Sequence, residues 1–204
     1  MQAFAQSTAI FTSIAWPFFG FVALTSRDII SVLFGTQWLA AAPIASILAL
    51  AAIPVGLCEF VPQLLSATGH VRRRLSLSLW VSPFHMAGLL VASRWGLRAM
   101  AAVSIFSGLL QLGVSTVQLK KALQVSARQM YGPCTQSAAV ALVSLAAQTT
   151  AWWMCQVLGA PAIATLAVVF IAGAGSWLAI SRGLQTPAFH EWLRLLRLAK
   201  QKIG

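Results

Sequence analysis

The chain has 204 residues, of which 59% are hydrophobic and only 8% are charged, and its net charge is +11. A water-soluble domain carries roughly 25% charged residues, so this composition excludes an ordinary soluble fold and indicates that lipid covers most of the exterior. The basic residues form short clusters between apolar runs, which indicates loop charge facing the cytoplasm and anionic lipid rather than nucleic-acid binding.

Six apolar segments are long enough to cross a bilayer as helices, for which about 20 residues are needed. Backbone groups inside lipid must be satisfied within the chain, which favours helices. Between the first two segments, residues 27–40 predict a short interfacial or re-entrant helix anchored by Trp38. The sequence therefore predicts an all-α membrane protein, with a bundle of transmembrane helices in residues 1–180. The six spans are expected at about 6–25, 42–66, 75–92, 99–117, 135–158 and 161–180.

The distribution of lysine and arginine predicts the orientation of the spans. One side of the membrane receives Arg72, Arg73, Arg74, Lys120, Lys121, Arg128, Arg182, Arg194, Arg197, Lys200 and Lys202. The other side receives only Arg27, Arg94 and Arg98. The richer side is expected in the cytoplasm, and both termini with it.

The last segment, residues 181–204, predicts a basic amphipathic helix on the cytoplasmic surface. Thr186 suits the N-cap of this helix and Pro187 its first position. The alternative is a frayed, charged tail.

Residues able to perform catalysis are scarce. The only acids are Asp28, Glu59 and Glu191, and the three histidines are scattered without metal-ligand spacing. The sequence also lacks the common motifs for a nucleophile, a phosphate loop or a zinc protease. We therefore expect a protein that is not an enzyme and has no catalytic residue, no metal and no cofactor.

Two ionisable side chains inside the spans are candidates for transport. Glu59 lies between Pro54 and Pro62, and a broken helix carrying an acid is typical of transporter binding sites. In the alternative interpretation the span ends early and Glu59 reaches the headgroups. His85 follows Pro83 in the third span, and histidine exchanges protons near neutral pH, as a proton-coupled cycle requires. Its alternative is a residue that serves only in helix packing.

Three segments resemble one family of membrane proteins. Residues 33–50, LFGTQWLAAAPIASILAL, resemble the second half of polysaccharide flippases, in which LFG-x-x-W-x-x-A-A-P is followed by ILAL. Residues 63–69, QLLSATG, followed by arginines, resemble a helix end of that family, and residues 95–102, WGLRAMAA, resemble a weaker pattern. The resemblance covers about residues 14–118. The family is the lipid-linked oligosaccharide flippases of the multidrug/oligosaccharidyl-lipid/polysaccharide exporter superfamily.

The resemblance implies a function. Members of the family have about twelve to fourteen spans and move undecaprenyl-diphosphate-linked sugar units to the periplasmic leaflet by alternating access. Six spans correspond to the C-terminal half, and the absence of a basic residue in residues 1–6 also favours a start upstream of Met1. The chain is thus expected to be a C-terminal fragment in the bacterial inner membrane. Its expected partners are the bilayer, the lipid-linked oligosaccharide, and a missing N-terminal half or second chain.

A diphosphate substrate calls for arginine, whose planar guanidinium matches phosphate geometry. The candidates for this role are Arg72, Arg73, Arg74, Arg94 and Arg98. The alternative is that these arginines only set the topology.

Two other functions stay open. One is a non-transporting membrane subunit or truncated remnant that packs against another chain. The other is a membrane-embedded transferase or ligase of surface polysaccharide assembly, which would need a long polar periplasmic loop with clustered acidic, histidine or arginine residues.

Overall fold

The structure is a computed structural model that describes residues 2–124, 126–132 and 134–184. The described residues are overwhelmingly helical, and the prediction of an all-α membrane protein with six spans is confirmed. The predicted tail helix, which begins at Pro187, lies outside the described residues. The six segments long and apolar enough to cross a membrane are Phe4–Leu33, Thr36–Ala67, Val71–Trp95, Leu97–Leu123, Cys134–Val157 and Ala162–Gly183.

Within the described ranges, eight α-helices build these segments and the links between them. Two short 3-10 helices, Thr36–Ala41 and Ser93–Trp95, lie beside Gly35 and Gly96, whose φ angles of 88° and 90° favour glycine. In chain order the α-helices are α1 (Gln2–Leu33), α2 (Ala42–Cys58), α3 (Val61–Ala67), α4 (Val71–Ala92), α5 (Leu97–Leu123), α6 (Ala127–Tyr131), α7 (Cys134–Val157) and α8 (Ala162–Gly183).

The link between the first two spans differs from its prediction. The prediction of a separate helix over residues 27–40 is wrong, because α1 continues through Arg27 and Asp28 to Leu33. These residues contain no proline or glycine, so nothing stops the helix before Gly35. Only Thr36–Ala41 forms a short helix of its own, of the 3-10 type.

The spans contact one another mainly in one order. Helix α4 packs against α5, α5 against α2, and α2 against α1, which also packs against α7 and α8. Helix α1 is the most enclosed span, since 44% of its apolar stretch is buried inside the bundle. In the span that contains α4, the buried share of the apolar stretch is only 11%. The outer helix α4 therefore leaves most of its surface for lipid or for another chain.

The alternating directions of the spans place most of the positive charge at one end, which we call the basic end. It contains the first turn of α4 and the last turns of α5 and α8. Its described basic residues are Arg72, Arg73, Arg74, Lys120, Lys121, Arg128 and Arg182. The opposite end contains Arg27, Arg94 and Arg98.

The short helix α6 closes part of the basic end. Ser126 and Gln129 form a reciprocal capping box at its start. Met130 is fully buried in an apolar cluster with Leu65 and Leu119. The Tyr131 hydroxyl lies 3.2 Å from Oγ1 of Thr116, and burial raises the pKa of this phenol. Helix α6 is therefore fixed to the bundle by both apolar and polar contacts.

Pro17 interrupts the hydrogen bonding of α1, and a side chain from another helix compensates. Proline has no N–H, so the carbonyl of Ser13 loses its helical donor. Nε1 of Trp177 in α8 donates to that carbonyl at 2.8 Å, and Nε2 of Gln148 in α7 donates to the Pro17 carbonyl at 3.3 Å. Because lipid offers no replacement donor, these two bonds hold α7 and α8 against α1.

We expect Trp177→Phe to lower the free energy of unfolding by about 0.5–1.5 kcal/mol, since the Ser13 carbonyl loses its donor. In a Pro17→Ala background the restored N–H at position 17 can donate to the same carbonyl, so Trp177→Phe should cost less than half as much. Unfolding of the four proteins in detergent gives this double-mutant cycle. An equal cost in both backgrounds would contradict the coupling.

Candidate functional site

Six of the seven candidate residues lie on one helical hairpin, formed by α4, the turn Ser93–Trp95 and α5. His85 is in the middle of α4. The arginines flank it at both ends of the hairpin, and Glu59 alone lies elsewhere, between α2 and α3. The three arginines at the basic end are Arg72, Arg73 and Arg74, and the two at the opposite end are Arg94 and Arg98.

His85 contacts α5 through a defined hydrogen bond. Its Nδ1 lies 2.8 Å from Oγ of Ser107, and that hydroxyl donates to the Ser104 carbonyl at 3.1 Å. Which of the two groups donates in the His85–Ser107 bond depends on the imidazole tautomer. In either neutral tautomer, one of the two ring nitrogens carries no proton.

The helices approach closely beside this hydrogen bond. A Cβ atom added to Gly88, three residues after His85, would lie 2.6 Å from Cγ1 of Val103 in α5. Small residues at such positions allow helix backbones to meet inside a membrane. The glycine thus brings His85 within reach of Ser107.

A second group of polar contacts between α4 and α5 lies nearer the basic end. Nε2 of Gln118 in α5 donates to Oγ of Ser76 in α4 at 3.2 Å, and a guanidinium nitrogen of Arg73 donates to the Gln118 carbonyl at 3.4 Å. We call the five residues His85, Ser107, Ser76, Gln118 and Arg73 the α4–α5 seam. It contains two of the sequence-predicted candidates, His85 and Arg73, in two separate groups of contacts along one helix interface.

The other arginines at the basic end have different surroundings. Arg74 donates to Oγ of Ser66 in α3 at 2.9 Å, whereas Arg72 is exposed. A cation in the first turn of a helix opposes the helix dipole at a cost of roughly 0.3–1 kcal/mol. Helix stability therefore does not explain why arginines stand at the start of α4.

The opposite end repeats this arrangement. Arg94 lies in the turn before α5, Arg98 lies in the first turn of α5, and both are exposed. Trp95 between them is 71% exposed, as suits an aromatic anchor at the membrane surface. Both groups of arginines therefore stand at a helix N-terminus, where backbone N–H groups also favour an anion.

Glu59 lies at a break in the second span. Helix α2 ends at Cys58 and α3 begins at Val61, because Pro62 has no N–H for the Cys58 carbonyl. Glu59 is exposed and eight residues from the end of a 32-residue span, or roughly 12 Å along the helix axis. Such a span exceeds the roughly 30 Å apolar core. The geometry thus favours the interpretation in which Glu59 lies near the headgroups at the basic end.

No family model, curated protein or solved structure matches this chain. The likeness to flippases therefore rests on the motifs in residues 33–50, 63–69 and 95–102. In the described part of the chain, no three histidine, cysteine, aspartate or glutamate side chains are placed to hold a metal ion. The ionisable groups of the hairpin among the candidates are five guanidinium groups and one imidazole.

The sequence analysis did not predict a cavity and a groove in the bundle. One, of about 320 Å³, lies between α1, α7 and α8 beside Pro17 and Trp177, where Gln148 keeps a buried Oε1 without a partner. The other lies between α4 and α5 and ends at Lys121. The four-residue spacing of Gly113, Val117 and Lys121 was a signal for it, since it places small, apolar and basic groups on one helix face.

Proposed function

We propose that this protein is one six-helix half of a transporter that translocates undecaprenyl-diphosphate-linked oligosaccharide units across the bacterial inner membrane by alternating access. The observation that carries the proposal is the α4–α5 hairpin, which holds a histidine in mid-span and arginines at both ends. The resemblance of residues 33–50 to polysaccharide flippases supports the same function.

The hairpin suits a diphosphate that must leave one leaflet and reach the other. At the basic end the exposed Arg72 and the N-terminus of α4 can attract the diphosphate, and at the opposite end Arg94, Arg98 and the N-terminus of α5 can do so. Arginine at these positions supplies bidentate donors as well as charge. The two groups are thus an entry site and an exit site.

His85 supports a cycle driven by protons. Its Nδ1 is hydrogen bonded to Ser107, and a second proton on the ring creates a full positive charge between two spans. Charge is costly in such a place, and the cost is relieved when the charged group reaches water. Because α4 is the least enclosed span, it is the one best able to move in response.

The charge distribution supports the proposed orientation. Seven of the described basic residues lie at the basic end and three at the other, so the basic end belongs in the cytoplasm together with both termini. Alternating access needs two units that rock around a shared site. The exposed surface of α4 is available for an N-terminal half or a second chain.

The proposal is tested by deleting the gene in its native bacterium and probing intact spheroplasts with a membrane-impermeant lectin against the oligosaccharide. We expect lipid-linked units to accumulate in a form the lectin cannot reach, and a plasmid copy to restore lectin binding. Unchanged lectin binding in the deletion strain would overturn transport by this chain.

The double variant Arg94→Gln/Arg98→Gln separates substrate contact from topology. Removing positive charge from the charge-poor side cannot weaken the predicted orientation, so a topological role predicts normal export. We expect lectin-accessible units to fall at least fivefold, because the exit site loses both guanidinium groups. Arg27→Gln is the control, since it removes a charge at the same end but outside the hairpin. Equal export by the double variant and the control would contradict a substrate role.

A further inference from the structure

A groove of about 510 Å³ runs between α4 and α5 on the outside of the bundle. Its lining includes Trp80 of α4 and, from α5, Leu109, Gly113, Val117, Gln118 and Lys121. We propose that this groove binds an anionic phospholipid from the leaflet at the basic end, with the phosphate at Lys121 and one acyl chain along α5. The inference goes beyond transport, because the occupant is a lipid of the surrounding membrane and not the cargo.

The length of the groove fits one leaflet. Leu109, Gly113, Val117 and Lys121 follow one another at four-residue intervals, so they form one continuous strip along α5. From Leu109 to Lys121 the helix rises roughly 18 Å, and the apolar half-thickness of a bilayer is roughly 15 Å. A chain that enters at Lys121 therefore reaches the middle of the membrane at Leu109.

The surface of the strip is open to lipid and shaped for a chain. Leu109 is 52% exposed and Val117 is 49% exposed, while Trp80 forms the opposite wall. A Cβ atom built on Gly113 would meet nothing within 4 Å, so the glycine leaves a notch in the floor. The apolar lining between Leu109 and Val117, with its notch, accepts an acyl chain.

The mouth of the groove is positively charged. Lys121 lies in the last turn of α5 and is exposed. A second cation is adjacent, because Arg73 donates to the backbone carbonyl of Gln118, which lines the groove. Basic residues near a membrane surface attract anionic lipid headgroups. This charge selects phosphatidylglycerol over the zwitterionic phosphatidylcholine.

Trp80 provides a local signal for the bound lipid. The full chain is reconstituted in phosphatidylcholine vesicles with increasing amounts of brominated phosphatidylglycerol, whose bromine atoms quench nearby indoles. The fluorescence of Trp80 is obtained by subtracting the fluorescence of the Trp80→Phe variant from that of the wild type. We expect half-maximal quenching of Trp80 at a much lower mole fraction of brominated phosphatidylglycerol than of brominated phosphatidylcholine. Equal quenching by the two lipids would overturn the site.

Two pairs of variants test the residues named. Lys121→Gln should raise the phosphatidylglycerol needed for half-maximal quenching at least threefold, whereas Lys120→Gln, which alters an exposed neighbour outside the groove lining, should change it by less than 1.5-fold. Gly113→Leu should fill the notch and abolish the preference for phosphatidylglycerol. Its control, Gly175→Leu in α8, enters equally open space and should preserve the preference. Equal effects of Lys121→Gln and Lys120→Gln would assign the quenching to bulk surface charge. Equal effects of Gly113→Leu and Gly175→Leu would show that the notch does not hold the lipid. Either result would overturn the proposal.

Discussion

His85→Gln is expected to lower export of the lipid-linked oligosaccharide at least tenfold while the amount of protein in the membrane stays normal. A glutamine amide can still donate a hydrogen bond to Ser107, so the contact between α4 and α5 survives the change. The amide cannot take up a proton, so the proposed charge change between the spans is lost. Lectin accessibility in spheroplasts, normalised to an immunoblot of the membranes, measures the effect.

Two further variants separate proton exchange from packing. Ser107→Ala removes the hydrogen-bond partner but keeps the imidazole, and we expect a two- to fivefold loss because the ring is less well oriented. His70→Gln is the matched control, since His70 lies in the link before α4 and its ring contacts Thr68, at 3.2 Å, rather than α5. Full export by His85→Gln would show that His85 serves only in packing.

The number of spans could be predicted because it depends on composition alone. Apolar runs of sufficient length must be helical in lipid, whatever their neighbours are. The boundaries were harder to predict. The charged residues Arg27 and Asp28 indicated the end of the first span. Helix α1 nevertheless continues for five more residues, to Leu33, and ends just before Gly35. Charge near a membrane surface does not itself stop a helix.

The effects of the prolines could not be predicted from the sequence. Helix α1 continues through Pro17, and Trp177, 164 residues away from Ser13, satisfies the freed carbonyl. The second span instead breaks just before Pro62. Helices α2 and α4 also continue through Pro54 and Pro83. Each proline lacks the same N–H, so the different outcomes depend on the packed surroundings of each helix rather than on the proline itself.

The candidate site was predicted in its parts but not in its arrangement. The sequence identified His85 and the arginines, because ionisable residues in or beside a span stand out. Their placement on one hairpin, and the pairing of His85 with Ser107 across 22 residues, depend on how α4 is rotated against α5. The weak hydrophobic asymmetry of a lipid-exposed helix does not specify that rotation. Helix α6, by contrast, could have been found from the capping pattern at Ser126 and Gln129.

Gly108→Leu is expected to destabilise the protein more than Trp177→Phe does, because Gly108 lies where α5 packs closely against α2. A Cβ atom at this position would lie 3.2 Å from each of three atoms, the Ala51 carbonyl oxygen, Cγ of Pro54 and Cγ2 of Val55. A backbone carbonyl and a proline ring cannot turn aside as the tip of a flexible side chain can. The helices must therefore separate, and we expect the free energy of unfolding to fall by about 2–3 kcal/mol.

Gly113→Leu is the matched control, with the same change five residues later on the same helix and nothing within 4 Å of its new Cβ atom. In detergent, the free energy of unfolding of Gly113→Leu should stay within about 0.5 kcal/mol of the wild type. An equal decrease for Gly108→Leu and Gly113→Leu would contradict the close α2–α5 contact. Helix α4 reaches the rest of the bundle mainly through α5. Separation at Gly108 should therefore displace the whole hairpin while the His85–Ser107 pair within it stays intact. Export should then fail although every polar residue of the α4–α5 seam is present, since transport depends on where the hairpin is held as well as on its chemistry.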